Sequence, residues 1–216
     1  MSDVIFLSNV RLSFPHLTEP QKTVNAQTGD TRISYSANFL MPESHQGFQQ
    51  FMVMYQQMIA AKFAEKTPIV LNMIQADRKL RCFARGEEIV NATTLQGYDG
   101  YPGNMVLTAG RATPPQLIQA DGTPVDPLNT MAYQAIARTM YAGCRVNAAI
   151  KPWRQENKHG NGIRCDLIAI QFAGDDKPLG VGEIDVKGLF GAVAQTSSIA
   201  GMFGSPAPQV LPSFFK

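Results

Sequence analysis

The residues best suited to chemistry in this chain of 216 residues are cations interleaved with aromatics in strand-like runs. Across residues 145–153, Val146, Ala148 and Ile150 alternate with Arg145, Asn147, Lys151 and Trp153, with the small Ala149 between them. Alternation of period two separates two faces of a strand. The apolar set belongs against a core. The opposite row carries two cations and the chain's single tryptophan. Such a row is able to follow a phosphate backbone with its charges and to stack a base on its indole. Arg154, Lys158 and Arg164 add cations at the open end of the same hairpin. Residues 79–85 repeat the interleaving: Lys79, Arg81, Phe83 and Arg85 oppose Leu80, Cys82 and Ala84. Between these runs the glycine-rich stretch 97–103 displays Tyr98 and Tyr101, a pair suited to base stacking, although its glycines also serve tight turns. Arg111, ending a further strand-like run over 104–111, joins the candidate set. The competing explanation is a solvated sheet face whose tryptophan is partly covered by a loop.

Catalytic patterns are weak by comparison. His16, His45 and His159 are widely separated and lie beside turns, with no partner at a metal-ligand spacing. Gly180 and Gly182 do not follow a clear strand that leads into a helix, so no dinucleotide fingerprint is met. Glu87-Glu88 and Asp175-Asp176 are acid pairs in expected loops. Cys82, Cys144 and Cys165 form no closely spaced pair, which argues against a zinc ribbon or a disulfide scaffold. The expectation is a protein without catalytic activity, cofactor or bound metal.

The elements that must position these residues are mostly strands. A hydrophobic fraction of 44% and a charged fraction of 17% suit one well-buried core. Basic charge is concentrated: residues 78–164 hold eleven Lys or Arg against six Asp or Glu, and the remainder eight against eleven. An anionic partner suits that distribution. Alternation over 4–14 predicts a strand with Val4, Phe6, Val10, Leu12 and Phe14 on one side, ended by Pro15. A second strand over 32–41 turns Ile33, Tyr35, Ala37, Phe39 and Met41 inward and Ser34, Ser36 and Asn38 outward. Phe48, Phe51, Met52, Tyr55, Met58, Ile59 and Phe63 then recur at helical spacing, with Ser44 as the expected N-cap and Gly47 a weak point in the first turn. Met52, Met54, Met58 and Met73 read as core filling. Residues 112–130 are a proline-rich loop, 131–140 a short helix, and 141–172 a hairpin connected through 155–162. No signal peptide and no long apolar span is legible, which predicts a soluble, cytoplasmic protein. Residues 1–185 are expected to form one domain and 186–216 a flexible tail rich in Gly, Ala, Ser and Pro.

Three segments carry a family resemblance. VRLSFPHL near the start, YSANFLMP before the helix, and YAGCRVNAAIKPWRQENKHGNGIRCDLIAIQF followed by an acidic turn and PLG resemble a group of bacteriophage single-stranded DNA-binding proteins. The group was first catalogued as a phage domain of unknown function, and the likeness runs from about Val10 to Gly180. It implies an oligonucleotide-binding (OB) fold: a mainly β, strongly curved antiparallel barrel with one packing helix and enlarged loops. It further implies binding of single strands without sequence preference, in phage replication, recombination or repair in the host cytoplasm. Proteins of this function commonly end in an acidic tail that recruits replication partners. Here no acid follows Asp185, although Phe214 and Phe215 stand near the end.

The leading reading is therefore a protein that coats single-stranded DNA through Lys79, Arg81, Phe83, Arg85, Tyr98, Tyr101, Arg111, Arg145, Asn147, Lys151, Trp153, Arg154 and Lys158. Phage or host replication and recombination proteins, and a homodimer or higher assembly on DNA, are further partners compatible with it; a membrane is not. A phage protein that binds or inhibits a host protein such as a nuclease through the same surface is the alternative, because arginine and aromatics also dominate protein interfaces. A nuclease or annealing factor on the same fold would need converging acids or an assembled ring.

Overall fold

Two bulges decide which side chains of the first strand reach the core. In the computed structural model, which describes residues 3–24, 29, 31–157 and 160–180, β1 runs Ile5–Val24, well past Pro15. Ile5 and Leu7 are buried while Phe6 is exposed; after Asn9, at φ 51°, the phase shifts and Val10 and Leu12 are buried. A second irregularity, with Phe14 at φ 46°, turns Phe14 outward and returns Leu17 to the core. The register against the neighbouring strands slips at both places. Simple alternation placed Val4, Phe6 and Phe14 inside; the extra residue at each bulge reverses their direction. The second bulge also accommodates Pro15, which donates no ladder hydrogen bond.

β2 (Thr31–Met41) follows the expected pattern from Ala37 to Met41, with Ala37, Phe39 and Met41 buried; Ile33, nearer the strand's start, is exposed. Helix α1 (Gln46–Phe63) buries Phe48, Phe51, Tyr55 and Ile59, the stripe anticipated from spacing. Its N-cap is His45 in place of Ser44. His45 Nδ1 accepts from the Gly47 N–H at 3.1 Å, and Nε2 meets the Ser8 carbonyl at 2.9 Å. That second bond ties the helix start to the first bulge. Gly47 is a consequence of the same approach: a Cβ there would lie 2.6 Å from the Phe6 carbonyl oxygen. A second helix, α2 (Thr67–Ala76), buries Val70 and Ile74 and has no counterpart in the sequence reading. Met73 on it is exposed, whereas Met52, Met54 and Met58 pack against the core as expected.

The segment 79–85 is not one strand. Arg78–Leu80 is a single 3-10 turn, and β3 spans only Phe83–Arg85. β4 (Met105–Arg111) lies near its expected place. β5 (Gln116–Ile118) arises inside the proline-rich stretch, and α3 (Thr130–Thr139) precedes the late hairpin. In β6 (Arg145–Asn157), Val146, Ala148 and Ile150 are buried, as alternation predicts. β7 (Gly160–Gly174) pairs with β6 until Asn157 faces Gly160, so the expected connection over 155–162 is largely ladder.

The seven strands form one sheet in the order β3-β4-β2-β1-β6-β7-β5, antiparallel except for the β5–β7 pair. α1 packs on its apolar side, against β1 and β6. The sheet curls until β7 meets the turn ahead of β3 through side chains. Arg164 donates to the Lys79 carbonyl, and the Cys82 and Cys165 sulfurs lie 3.7 Å apart. The described residues fall within one compact unit, Met1–Val181. The tail expected over 186–216 lies outside them.

All three cysteines are free thiols buried in this core. Burial pushes the Cys144 thiol up to about 12, and burial together with the Cys82 contact holds Cys165 well above its ordinary value. Thiolate is the reactive form. A thiol reagent at pH 8 is therefore expected to leave Cys144 and Cys165 of the native protein unlabelled and to modify both after denaturation. Rapid native labelling of Cys165 would show that β7 does not seal against the turn ahead of β3.

Candidate nucleic-acid interface

The outward face of β1, β2 and β4 is polar along a continuous row. Ser13 on β1 stands opposite Asn38 on β2, which stands opposite Thr108 on β4. Side chains link the row: Thr108 Oγ1 donates to Asn38 Oδ1 at 2.7 Å, and the Tyr101 hydroxyl lies 3.0 Å from Ser13 Oγ. Asn38 Nδ2 also donates to the Tyr101 hydroxyl at 3.3 Å. The outward serines of β2 foreseen by alternation thus form a floor.

At one end of this floor lies a groove of about 310 Å³. Lys79, Arg81, Trp153 and Arg164 surround it, over Ser34, Ser36, Thr108 and Gly110. Trp153 and Arg164 are cross-strand partners on the β6–β7 ladder, and Lys79 and Arg81 arrive from the turn ahead of β3. Trp153 Nε1 donates to Asp166 Oδ1 at 2.8 Å, which fixes the indole on this face. Arg81 Nη2 donates to Glu88 Oε2 at 2.6 Å and its guanidinium sits 5.7 Å from the Phe83 ring centroid. Lys151 projects from the same face of β6, its ammonium 3.6 Å from the Asp3 carboxylate. Gly110 is confined here: a Cβ would meet Ser36 Cβ at 2.7 Å.

At the other end the loop over 86–104 covers the sheet. Leu40, Ala84, Ile89, Tyr101 and Val106 form a small second core beneath it, joined by Tyr98 and Leu179. Gly86 is required by close approach, since a Cβ would strike the Tyr101 carbonyl. The Gly103 N–H, donating to Glu87 Oε1, pins the loop and holds the Glu87 carboxyl below its ordinary value. Burial raises the Tyr101 phenol, against the opposing effect of its bonds to Ser13 and Asn38.

Several candidates lie elsewhere than sequence placed them. Phe83 is buried between α1 and the sheet, packed on Phe48, Phe51 and Tyr55, so it presents no face to a base. β3 is covered on both faces, Phe83 by α1 and Ala84 by the loop over 86–104, while Cys82 meets Cys165 of β7. Tyr101 is 1% exposed and serves as a structural post beneath its loop. Arg145 Nε donates to Asp176 Oδ2 at 2.6 Å, and Arg11 shares that carboxylate. The Lys177 N–H and then Arg145 hold Asp176 below its ordinary value. Asn147 is engaged with Gln171 and the Asn9 N–H. Arg154 falls on the opposite face of β6, bonded to Glu156 and 5.9 Å from the Phe63 ring. Arg85 points to the α1 side, toward Glu43. Arg111 ends β4 opposite Tyr35, and Lys158 lies outside the described residues. Thus Lys79, Arg81 and Trp153 converge, Lys151 shares their face, and Tyr98 stands apart at the other end.

Sequence reasoning omitted Arg164 from the set, although its pairing with Trp153 follows from the hairpin register. It also assigned Phe14 to the core. Only the bulge reveals otherwise, and the signal was Phe-Pro interrupting an alternating run.

Among the described residues, no group of three or more His, Cys, Asp or Glu is placed to hold a metal ion, and no helix is long and apolar enough to cross a membrane. A curved, mainly antiparallel sheet with a packing helix and a basic, partly aromatic outer face defines an OB-fold protein. The chain belongs to the family described as Enterobacter phage Enc34, ssDNA-binding protein, whose sequence profile matches residues 3–198. It is similar to the single-stranded DNA-binding protein from bacteriophage Enc34 solved in complex with ssDNA, at 24% identity and a TM-score of 0.59, over 82% of this chain and 89% of that one. Another structure of the Enc34 protein gives 25% identity and a TM-score of 0.56, over 87% and 89%. A curated relative, "Putative protein p50" from Acyrthosiphon pisum secondary endosymbiont phage 1, is 30% identical over 173 residues, 79% of this chain and 83% of that protein.

Proposed function

We propose that this chain binds single-stranded DNA without sequence preference, coating and protecting it during phage DNA replication, recombination or repair in the host cytoplasm. Binding, with no catalytic step, is its activity, and residues 1–185 are the binding domain. The observation that carries this reading is the convergence of Lys79, Arg81, Arg164 and Trp153 on one groove with a hydroxyl-bearing floor. Charges there neutralise phosphates, the indole stacks a base, and no base edge is read, which is how single strands are held without sequence preference. Family membership supports the same reading.

Affinity for oligothymidylate is expected to fall steeply with salt, with a log–log slope of about −0.7 per phosphate contact. Lys79→Ala should reduce the magnitude of that slope by roughly one contact's worth, about 0.7. Duplex DNA should compete poorly, because stacking on the Trp153 indole requires an unpaired base. A wild-type slope near zero, or equal competition by duplex, would overturn the assignment.

A further inference from the structure

We infer that the aromatic pocket at the loop-covered end of the floor holds one unstacked base of the bound strand, with Phe14 as the ring against which it lies. The inference rests on the single-strand reading and extends it to a second station. The pocket has a volume of about 500 Å³, within the range of roughly 300–1,000 Å³ typical of small-molecule sites. Phe14, Tyr98 and Leu179 supply apolar walls, and His16, Asn91 and Asp99 supply polar edges. A base is flat and apolar on its faces and polar around its rim, so this combination matches it.

Phe14 itself carries the argument. It is a bulky residue at φ 46°, in the left-handed region that residues other than glycine rarely occupy, and the residue is 44% exposed. Strained backbone of this kind persists where the surroundings enforce it, and it concentrates at binding sites. Here the bulge turns the ring out of the core, where alternation would bury it, and seats it edge-on to Tyr98 at 5.1 Å and 80°. Its neighbours are fixed in advance. Ser13 is bonded to Tyr101, and the Leu179 N–H donates to the Ala142 carbonyl at 2.9 Å. A base entering the pocket therefore has little to order.

The pocket lies on the same side of the sheet as the basic groove, with no lining residue in common. Ser13, buried against Tyr101, lines the pocket and stands opposite Asn38, which stands opposite Thr108 at the groove holding Lys79, Arg81 and Trp153. That row crosses three adjacent strands, roughly 10 Å at the usual strand spacing. A strand laid across β1, β2 and β4 would meet aromatic stations at both ends, Trp153 and Phe14, with a polar floor between them.

The test compares dissociation constants of the full chain for oligothymidylate and for an abasic deoxyribose-phosphate oligomer of equal length. Phe14→Ala should weaken oligothymidylate binding by about 10-fold, within the range for one lost base-stacking contact, and leave binding of the abasic oligomer unchanged. Phe14→Tyr, which keeps a ring, should restore the affinity. Phe14→Gly, which relieves the positive φ, should remain folded by its melting curve and bind as weakly as the alanine variant. Equal losses on both oligomers, or no loss on oligothymidylate, would overturn the base pocket. In either case, if Lys79→Ala still weakens both oligomers, the single-strand reading stands by itself. Failure of the wild type to bind oligothymidylate would overturn both.

Discussion

Ile150→Asp is expected to unfold or strongly destabilise the protein, while Lys151→Asp, one residue along, melts close to the wild type. Ile150 is fully buried on the core face of β6, level with Val146 and Ala148. An aspartate there removes a packed side chain and introduces a carboxylate with no partner, a change that costs on the order of 4–5 kcal/mol. Against total stabilities of about 5–15 kcal/mol, such a loss removes from roughly a third to nearly all of the margin. Lys151 points the other way, and its side chain is 48% exposed beside Asp3. An exposed ion pair contributes about 0–1 kcal/mol, so reversing the charge barely moves the melting temperature. It does remove a cation from the proposed binding face, and oligothymidylate affinity should fall. Thermal melts and salt-matched titrations of both variants check the pair. A stable Ile150→Asp with an unfolded Lys151→Asp would mean that the faces of β6 are reversed, and the interface would lose its basis.

Trp153→Ala is expected to cost about 1–3 kcal/mol of binding free energy for oligothymidylate, the range for one lost base-stacking contact, with the salt slope preserved because no charge is removed. The indole lies on the groove beside Lys79 and Arg81 and is oriented by its bond to Asp166. As the chain's single tryptophan it also reports its own occupancy. Emission should quench on titration with oligothymidylate and saturate at the binding stoichiometry. A tryptophan serving only to cover the sheet would behave otherwise: the variant would melt earlier and its folded fraction would bind normally. Unchanged emission with normal variant affinity would exclude Trp153 from the site and leave the Phe14 pocket as the stacking station.

What residues alone determined was local and periodic. The stripe from Phe48 to Ile59 specified α1, and alternation specified the buried and outward rows of β6 and the outward serines of β2. These features are legible because one face of each element meets the core and the other meets solvent, so period reports direction. The motifs carrying the family resemblance belong to the same class of information. Tertiary structure decided the rest. Bulges at Asn9 and Phe14 insert single residues that reverse direction without changing composition, which is why Phe14 moved from expected core to the mouth of a pocket. Burial of Phe83 depends on where α1 packs, and capture of Arg145 depends on the return of Asp176 from 31 residues downstream. Cations therefore announce themselves in sequence as a set. Where each of them ends up is decided by the acids and rings that folding brings beside it: Arg145 is drawn to Asp176, Arg154 to Glu156 and Phe63, and Arg81 to Glu88 and Phe83, while Lys79, Arg81 and Arg164 all line the groove that holds Trp153.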